Sequence, residues 1–425
     1  MRSFASNNQP EQEFKTRHAE IMAPAGSRAS FHAALQGGAD SIYFGIEQLN
    51  MRARASNNFA MEDLPEISAL AQDHGVKTYL TLNTVLYDHD LPLMRKIIDA
   101  VKEHGITAII ASDQAAISYA FKQGVDVHIS TQANISNIEM VEFYSHFADV
   151  MVLARELSLG QVKKIVEGIK ERNITGPSGE LVQIEVFAHG ALCMAVSGKC
   201  YLSLHTYNSS ANRGACKQNC RHAYKVDNDE GIELEIDNEY IMSPKDLCTI
   251  DFLDQVLDSG ATVLKIEGRG RSPEYVQTAT RCYKEAALSV ANGTYTPEKA
   301  LQWKNELEQV YNRGFWDGYY LGRKVGEWSP VYGSAAKKEK TFVGKVIHYY
   351  PKAKVSHIQM KAREISKGDT LLVIGDRTGV VEQVIQSLWV DDKPAQKAVK
   401  GEECTIKMDE PVRDGDNVYL WKDRA

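Results

Sequence analysis

Long hydrophobic runs are missing: no stretch of the 425 residues approaches the roughly 20 apolar residues that a membrane-crossing helix requires. Residues 1–13 are polar and lack the apolar core of a secretory signal, so a cytoplasmic location with no membrane partner is expected. There is no Gly-x-Gly-x-x-Gly turn after the first strand-like run, no Gly-x-Ser-x-Gly elbow and no His-Glu-x-x-His pair. Those absences argue against a dinucleotide fold, a serine hydrolase of the elbow type and a zinc protease of the helical type. Basic surplus is missing too, because 49 Lys and Arg face 56 Asp and Glu. A net charge of −7 excludes a generally basic coat, so any polyanion must be met locally.

One place lacks charge of the other sign. Between Val186 and Val226 there is no Asp or Glu, while Lys199, Arg213, Lys217, Arg221 and Lys225 are all present. The same segment carries Cys193, Cys200, Cys216 and Cys220 in the pattern C-x6-C-x15-C-x3-C. Four soft thiolates at close spacing suit a metal or an iron–sulfur cluster. Basic neighbours lower thiol pKa and offset the negative charge of a thiolate-ligated centre. Only Cys216 and Cys220 are spaced like a zinc knuckle, and the ferredoxin pattern is absent, so spacing leaves zinc and a [4Fe–4S] cluster both open. Cys248 is close enough in sequence to replace one ligand, or else fills a core position; Cys282 and Cys404 are scattered. An odd total of seven cysteines fits a reducing compartment better than a disulfide framework.

Along the chain, short apolar runs alternate with helical patterns. The runs are Glu20–Ala23, Ser41–Phe44, Val76–Leu82, Ala108–Ala111, Val127–Ile129, Val150–Leu153, Val182–Phe187 and Thr262–Ile266. Helical patterns cover Arg28–Gln36, Leu64–His74, Leu91–His104, Asp113–Lys122, Ile138–His146 and Leu159–Arg172, with further helices at Pro273–Asn292 and Pro297–Arg313. Nearly continuous apolar strands separated by helices predict a parallel sheet. Eight of them predict an α/β fold of the (β/α)8 TIM-barrel type; an open doubly wound sheet is the alternative. We expect a polar N-terminal extension over 1–17, a catalytic barrel over 18–336 with a cysteine-bearing insertion at 189–238, and a C-terminal all-β barrel domain over 337–425. The insertion leaves the end of the seventh strand, which puts the cysteines over the barrel mouth, where active sites of this fold lie. Gly314–Tyr320 reads as an aromatic turn.

Polar residues at the strand ends are candidates for the site: Asn83, Asp113, Ser130, Gln132, Asn134, Glu185, His189, Lys265, Glu267 and Arg269. Some of these would merely cap helices or satisfy buried backbone. Alternation puts Lys265, Glu267 and Arg269 on one face. Arg52 and Arg54, on an acid-free loop, together with Arg213 and Arg269, suit a carboxylate or phosphate. Asn83 and Gln132 join them as substrate-binding candidates, and Glu185, His189, Lys265 and Glu267 as catalytic ones. Tyr201, Tyr207 and Tyr224 could stack an unpaired base or pack around a bound centre. The lysines between Lys337 and Lys354 fit either an RNA backbone or an ordinary exposed linker.

The run Glu185-Val186-Phe187-Ala188-His189-Gly190-Ala191-Leu192-Cys193, continued by Ser197-Gly198-Lys199-Cys200-Tyr201-Leu202-Ser203, resembles the signature of the U32 peptidase family. Asn212-Arg213-Gly214-Ala215-Cys216, Cys220-Arg221, Ala23-Pro24-Ala25-Gly26, Gly38-Ala39-Asp40, Leu49–Arg54 and Lys265-Ile266-Glu267-Gly268-Arg269 extend the match from about residue 18 to 330, and the β-rich tail is similar to that of longer members. The resemblance implies a barrel with an oxygen-sensitive [4Fe–4S] cluster whose ligands map onto Cys193, Cys200, Cys216 and Cys220. It also implies hydroxylation without molecular oxygen. The branch similar in length acts on tRNA, makes 5-hydroxyuridine at wobble uridine 34 and depends on prephenate; other members hydroxylate ribosomal RNA or quinone precursors, some as paired subunits. No motif identifies an electron donor, and a homo-oligomer or a paired family subunit is compatible with the sequence. The family's older label is a collagenase-like protease, for which Cys193 beside His189 would be the nucleophile and base. A thiolate with three partners at ligand-like spacing is, however, not free to attack.

Overall fold

A computed structural model describes residues 19–54, 58–224, 240, 242–322 and 327–424. The apolar runs become β1 (Glu20–Pro24), β2 (Ser41–Phe44), β3 (Lys77–Leu82), β4 (Ala108–Ala111), β5 (Asp126–Ile129), β6 (Val150–Val152) and β7 (Gln183–Gly190). After a short β8 (Asp246–Cys248), β9 (Val263–Ile266) supplies the last stave. Neighbours from β1 to β7 pair in parallel, and β9 pairs with both β7 and β1, which closes an eight-stranded barrel. The strands are buried almost throughout, as expected where helices cover one face and side chains fill the other.

The surrounding helices are α1 (Arg28–Gln36), α2 (Leu64–Asp73), α3 (Leu91–Glu103), α4 (Gln114–Gln123), α5 (Ile138–Ser145), α6 (Leu159–Glu171), α7 (Leu202–Tyr207), α8 (Leu253–Asp258), α9 (Pro273–Ala291) and α10 (Pro297–Leu307). Their starts are set by side-chain caps: Ser27, Asp113, Asn137, Ser158 and Thr296 each accept a backbone N–H of the first turn. Such a cap contributes about 1 kcal/mol. No helix among the described residues is long and apolar enough to cross a membrane.

Three expectations shift. Phe315–Trp316, read as a turn, forms β10 and pairs with β8; the helix predicted to reach Arg313 stops at Leu307. The short α7 and α8 carried too little periodicity to stand out. Residues 1–18 and 225–239, which include the predicted extension and part of the insertion, lie outside the described residues.

The tail is all-β and antiparallel. Lys338–Tyr350 pairs on one side with Val355–Met360 and on the other with Asn417–Asp423, around a core that includes Val343, Ile358, Leu371, Val373 and Ile406. It rests on α1 and α9: Gln36 donates to the Thr378 carbonyl at 3.0 Å, and Lys340 pairs with Glu274 at 2.8 Å.

Candidate active site

Inside the barrel, β7 and β9 bring Glu185 and Lys265 together, Nζ to Oε1 at 2.7 Å, with both side chains almost fully buried. Nδ1 of His128, from β5, lies 3.7 Å from the other carboxylate oxygen, and neither of those two atoms has a hydrogen-bond partner. Burial pushes the Glu185 carboxyl up, but Lys265 and His128 pull it further down, so it stays ionised. Burial also lowers the Lys265 ammonium, against the pull of Glu185. The ammonium sits 4.6 Å from the centre of the Tyr43 ring, a cation–π contact inside the fold.

Above this pair, Glu267 and Arg269 continue the same face, as alternation predicts for a strand. Arg52 donates to Glu267 at 2.9 Å. Arg52 and Arg271 pull the Glu267 carboxyl down against the opposing effect of burial, with Arg155 adding to the pull. Arg269 is buried and, among the described residues, hydrogen-bonds neutral oxygens, Thr81 Oγ1 and Asn50 Oδ1, each at 2.8 Å. Burial brings its pKa down to about 10, which leaves it charged at neutral pH. Among the described residues, five cations, Lys265, Arg269, Arg52, Arg155 and Arg271, act on two carboxylates, Glu185 and Glu267, with Arg271 also paired to a third, Asp246. Nε of Arg155 is buried without a partner, and its guanidinium lies 3.9 Å over the Phe187 ring. The mouth therefore carries surplus positive charge and suits an anionic group.

The cysteine segment lies over this mouth. Arg54 N donates to Gly214 O at 3.2 Å and Val85 N to Asn212 O at 3.1 Å. Arg213 closes on Asp90 at 2.7 Å and stacks 4.0 Å over Tyr87. Asn134 donates to the Ser197 carbonyl at 3.0 Å. Gly214, at φ +83°, lies so near the loop after β2 that a Cβ would come within 2.3 Å of Asn50 O. All seven cysteines are free thiols; Cys193 is exposed and Cys200, Cys216 and Cys220 are half-buried. Burial pushes the Cys220 thiol up and Arg221 pulls it back, while Cys193, Cys216 and Cys200 are all near enough to act on it. Negative charge on Cys193 and Cys216 also reaches Arg52, after the larger effect of Glu267. No three His, Cys, Asp or Glu side chains among the described residues are spaced to hold one metal ion.

Other candidates fall in different places. Asn83 accepts from Met51 N at 3.2 Å and donates to Gln132 Oε1 at 3.3 Å, joining the loops after β2, β3 and β5. Ser130 also donates to Gln132. Arg54 is exposed. Asp113 caps α4 and accepts from Leu86 N at 3.0 Å. The guanidinium of Arg213 is engaged by Asp90 and the Val85 carbonyl, so it serves as a clasp in this arrangement.

His189 is turned away from the mouth. A register shift between Phe187 and His189 inserts a bulge into β7, and a bulge re-aims the side chains that follow it. The imidazole packs among Tyr275, Tyr283 and Phe315 in the outer layer, where burial drives its pKa down to about 3. Cys248 is buried beside it, with the Tyr283 hydroxyl 3.8 Å from its sulfur, and burial raises its thiol to about 12. Lys337 and Lys340 pair with Glu308 and Glu274, which accounts for them as braces between the two domains.

Sequence reasoning missed His128 and Arg155. Alternation in β5, with Val127 and Ile129 facing outward, was the available signal for His128. For Arg155 it was a position just beyond the end of β6, like those of the other mouth residues.

The sequence profile of peptidase family U32 matches residues 26–330, from the turn after β1 to beyond the barrel. The chain belongs to peptidase family U32. Among U32 relatives, a protein of Porphyromonas gingivalis named collagenase is 55% identical over 406 residues, covering 95% of this chain and 98% of its own length. The Bacillus subtilis tRNA hydroxylation protein P1 is 30% identical over 388 residues, 89% of this chain and 88% of its own length. An Escherichia coli protein named as a 23S rRNA 5-hydroxycytidine synthase is 29% identical over 393 residues, 88% of this chain and 57% of its own length. Both names, protease and RNA hydroxylase, thus occur within the family to which this U32 chain belongs.

Proposed function

We propose that the chain is an iron–sulfur-dependent RNA hydroxylase that works without molecular oxygen and forms 5-hydroxyuridine at position 34 of tRNA, with prephenate as co-substrate. The observation that carries this reading is the meeting of four free thiols with a mouth holding more cations than carboxylates. Cys193, Cys200, Cys216 and Cys220 are the residues that would hold a [4Fe–4S] cluster: all four are free thiols, and the other three lie near enough to Cys220 for their charge to act on it. When bound, such a cluster would supply one-electron chemistry beside the barrel mouth. Arg52, Arg155 and Arg269 bind and orient the carboxylates of a dianionic co-substrate, because their charge exceeds that of Glu267. Lys265 holds a proton on Nζ beneath the mouth, and Glu185 fixes that ammonium in place. Asn83 and Gln132 offer amide groups to the edge of a flipped pyrimidine.

Deleting the gene and digesting bulk tRNA tests the assignment: 5-hydroxyuridine and nucleosides derived from it should vanish from the mass spectrum, and unchanged spectra would end it. Loss from ribosomal RNA alone would move the target to that RNA. The Porphyromonas relative's name motivates a second reading, proteolysis through Cys193. The outward turn of His189 leaves that thiol without the base it would need. Brown protein from anaerobic purification, carrying iron and sulfide that any single Cys→Ala change depletes, supports the first reading. Colourless protein that cleaves gelatin supports the second.

A further inference from the structure

The cysteine segment carries a second feature that thiol chemistry does not use. Tyr201 and Tyr207 are 70% and 51% exposed, and Met194 and Val196 are about half exposed. Tyr224, by contrast, is tied down by its hydroxyl, which donates to Asn219 O at 2.8 Å. Around the exposed rings stand Lys199, Lys217 and His205, also exposed, whose side chains have no hydrogen-bond or ion-pair partner among the described residues. Some surface lysines elsewhere are paired: Lys77, Lys163 and Lys284 each lie within 2.8 Å of a carboxylate. Residues 186–226 themselves contain no acid, and Lys199 and Lys217 are not paired with a carboxylate from another described part of the chain.

Large rings left in water beside uncompensated cations fit a partner with flat apolar faces and negative charge. Unpaired nucleotides have both, and stacking on tyrosine is tolerant of base identity. Lys199 and Tyr201 flank Cys200, and Lys217 follows Cys216, so the face is continuous with the thiols over the mouth. We infer that this face is the dock for an RNA loop, with Tyr201 and Tyr207 stacking the bases that flank the nucleotide entering the barrel, and with Lys199 and Lys217 neutralising its phosphates. The inference rests on the RNA reading above and adds the surface that selects looped over paired RNA.

The test is equilibrium binding of anaerobically purified full-length protein to an RNA hairpin with a uridine-containing loop, beside a blunt duplex of equal length. Replacing Tyr201→Ala and Tyr207→Ala together should weaken hairpin binding about tenfold per ring, while the Phe replacements retain it. Lys199→Ala with Lys217→Ala should flatten the slope of log affinity against log salt by about 1.4. The duplex should bind weakly and respond little to the tyrosines. Because the rings are exposed, the melting curve should not move. Hairpin binding indifferent to both Ala changes would overturn the dock. So would equal losses for the duplex, or a loss of self-association with RNA affinity intact. Tyrosine-dependent binding without any hydroxylated product would sink the proposed reaction alone. Product formation with tyrosine-independent binding would sink the dock alone.

Discussion

Removing the ammonium from the Lys265–Glu185 pair, by Lys265→Met, tests whether the barrel interior holds a true ion pair. At 2.7 Å and an effective dielectric near 20, the attraction is about 6 kcal/mol. Desolvating two ions costs several kcal/mol each, so the intact pair contributes little net stability. Breaking it is another matter, because the Glu185 side chain is 0% exposed and would keep only His128, 3.7 Å away. We expect Lys265→Met to cost about 3–5 kcal/mol at pH 8, measured as a shift in urea unfolding. With the lysine gone, the folded-state pKa of Glu185 rises above its unfolded value. The neutral acid is then tolerated at low pH, and the penalty grows as pH climbs through the raised pKa. The deficit at pH 5 should therefore be smaller than at pH 8. The double change Lys265→Met with Glu185→Leu should recover to within about 1–2 kcal/mol of the parent, since an apolar pair replaces an ionic one. A single variant that loses less than about 1 kcal/mol at pH 8, or a double variant as unstable as the single, would refute this account.

Replacing Arg213→Ala removes a charge-assisted bond to Asp90 and the stack on Tyr87; about 2 kcal/mol should be lost locally, seen as faster proteolytic nicking within 191–224. Gly214→Ala should lower the melting temperature and reduce iron content together, because its Cβ would collide with Asn50 O at a left-handed backbone position. His189 is held neutral in the fold, with a pKa of about 3 against about 6.5 unfolded. The unfolded chain takes the proton first, so stability is complete above about pH 6.5 and falls by up to about 4–5 kcal/mol towards pH 3. His189→Phe should flatten that part of the acid-unfolding curve; an unchanged slope would mean that other groups govern it.

The barrel was legible because parallel strands covered on both faces read as unbroken apolar runs, and the helices between them carry their own caps. The start and end predicted for α1, Arg28 and Gln36, are those of the structure, since Ser27 caps it and Gly37 follows. Topology alone put the cysteines at the mouth, and alternation grouped Lys265, Glu267 and Arg269. His189, expected at the mouth because it belongs to the seventh strand, faces away because one extra residue in β7 reverses the side that follows, and no residue type there announces a bulge. Charge counts could not foresee that Arg213 and Lys340 are committed to Asp90 and Glu274, partners more than 60 residues away in the chain. His128 looked like any core imidazole until β7 and β9 brought a carboxylate and an ammonium beside it.

The clasp that holds the thiols has a consequence for biogenesis. Its grips, Arg54 N, Val85 N and Asp90, all precede the cysteines in the chain, whereas β9, which closes the barrel, follows them. A nascent chain of this design makes the cysteine segment after the loops that grip it and before the stave that completes the mouth beneath it.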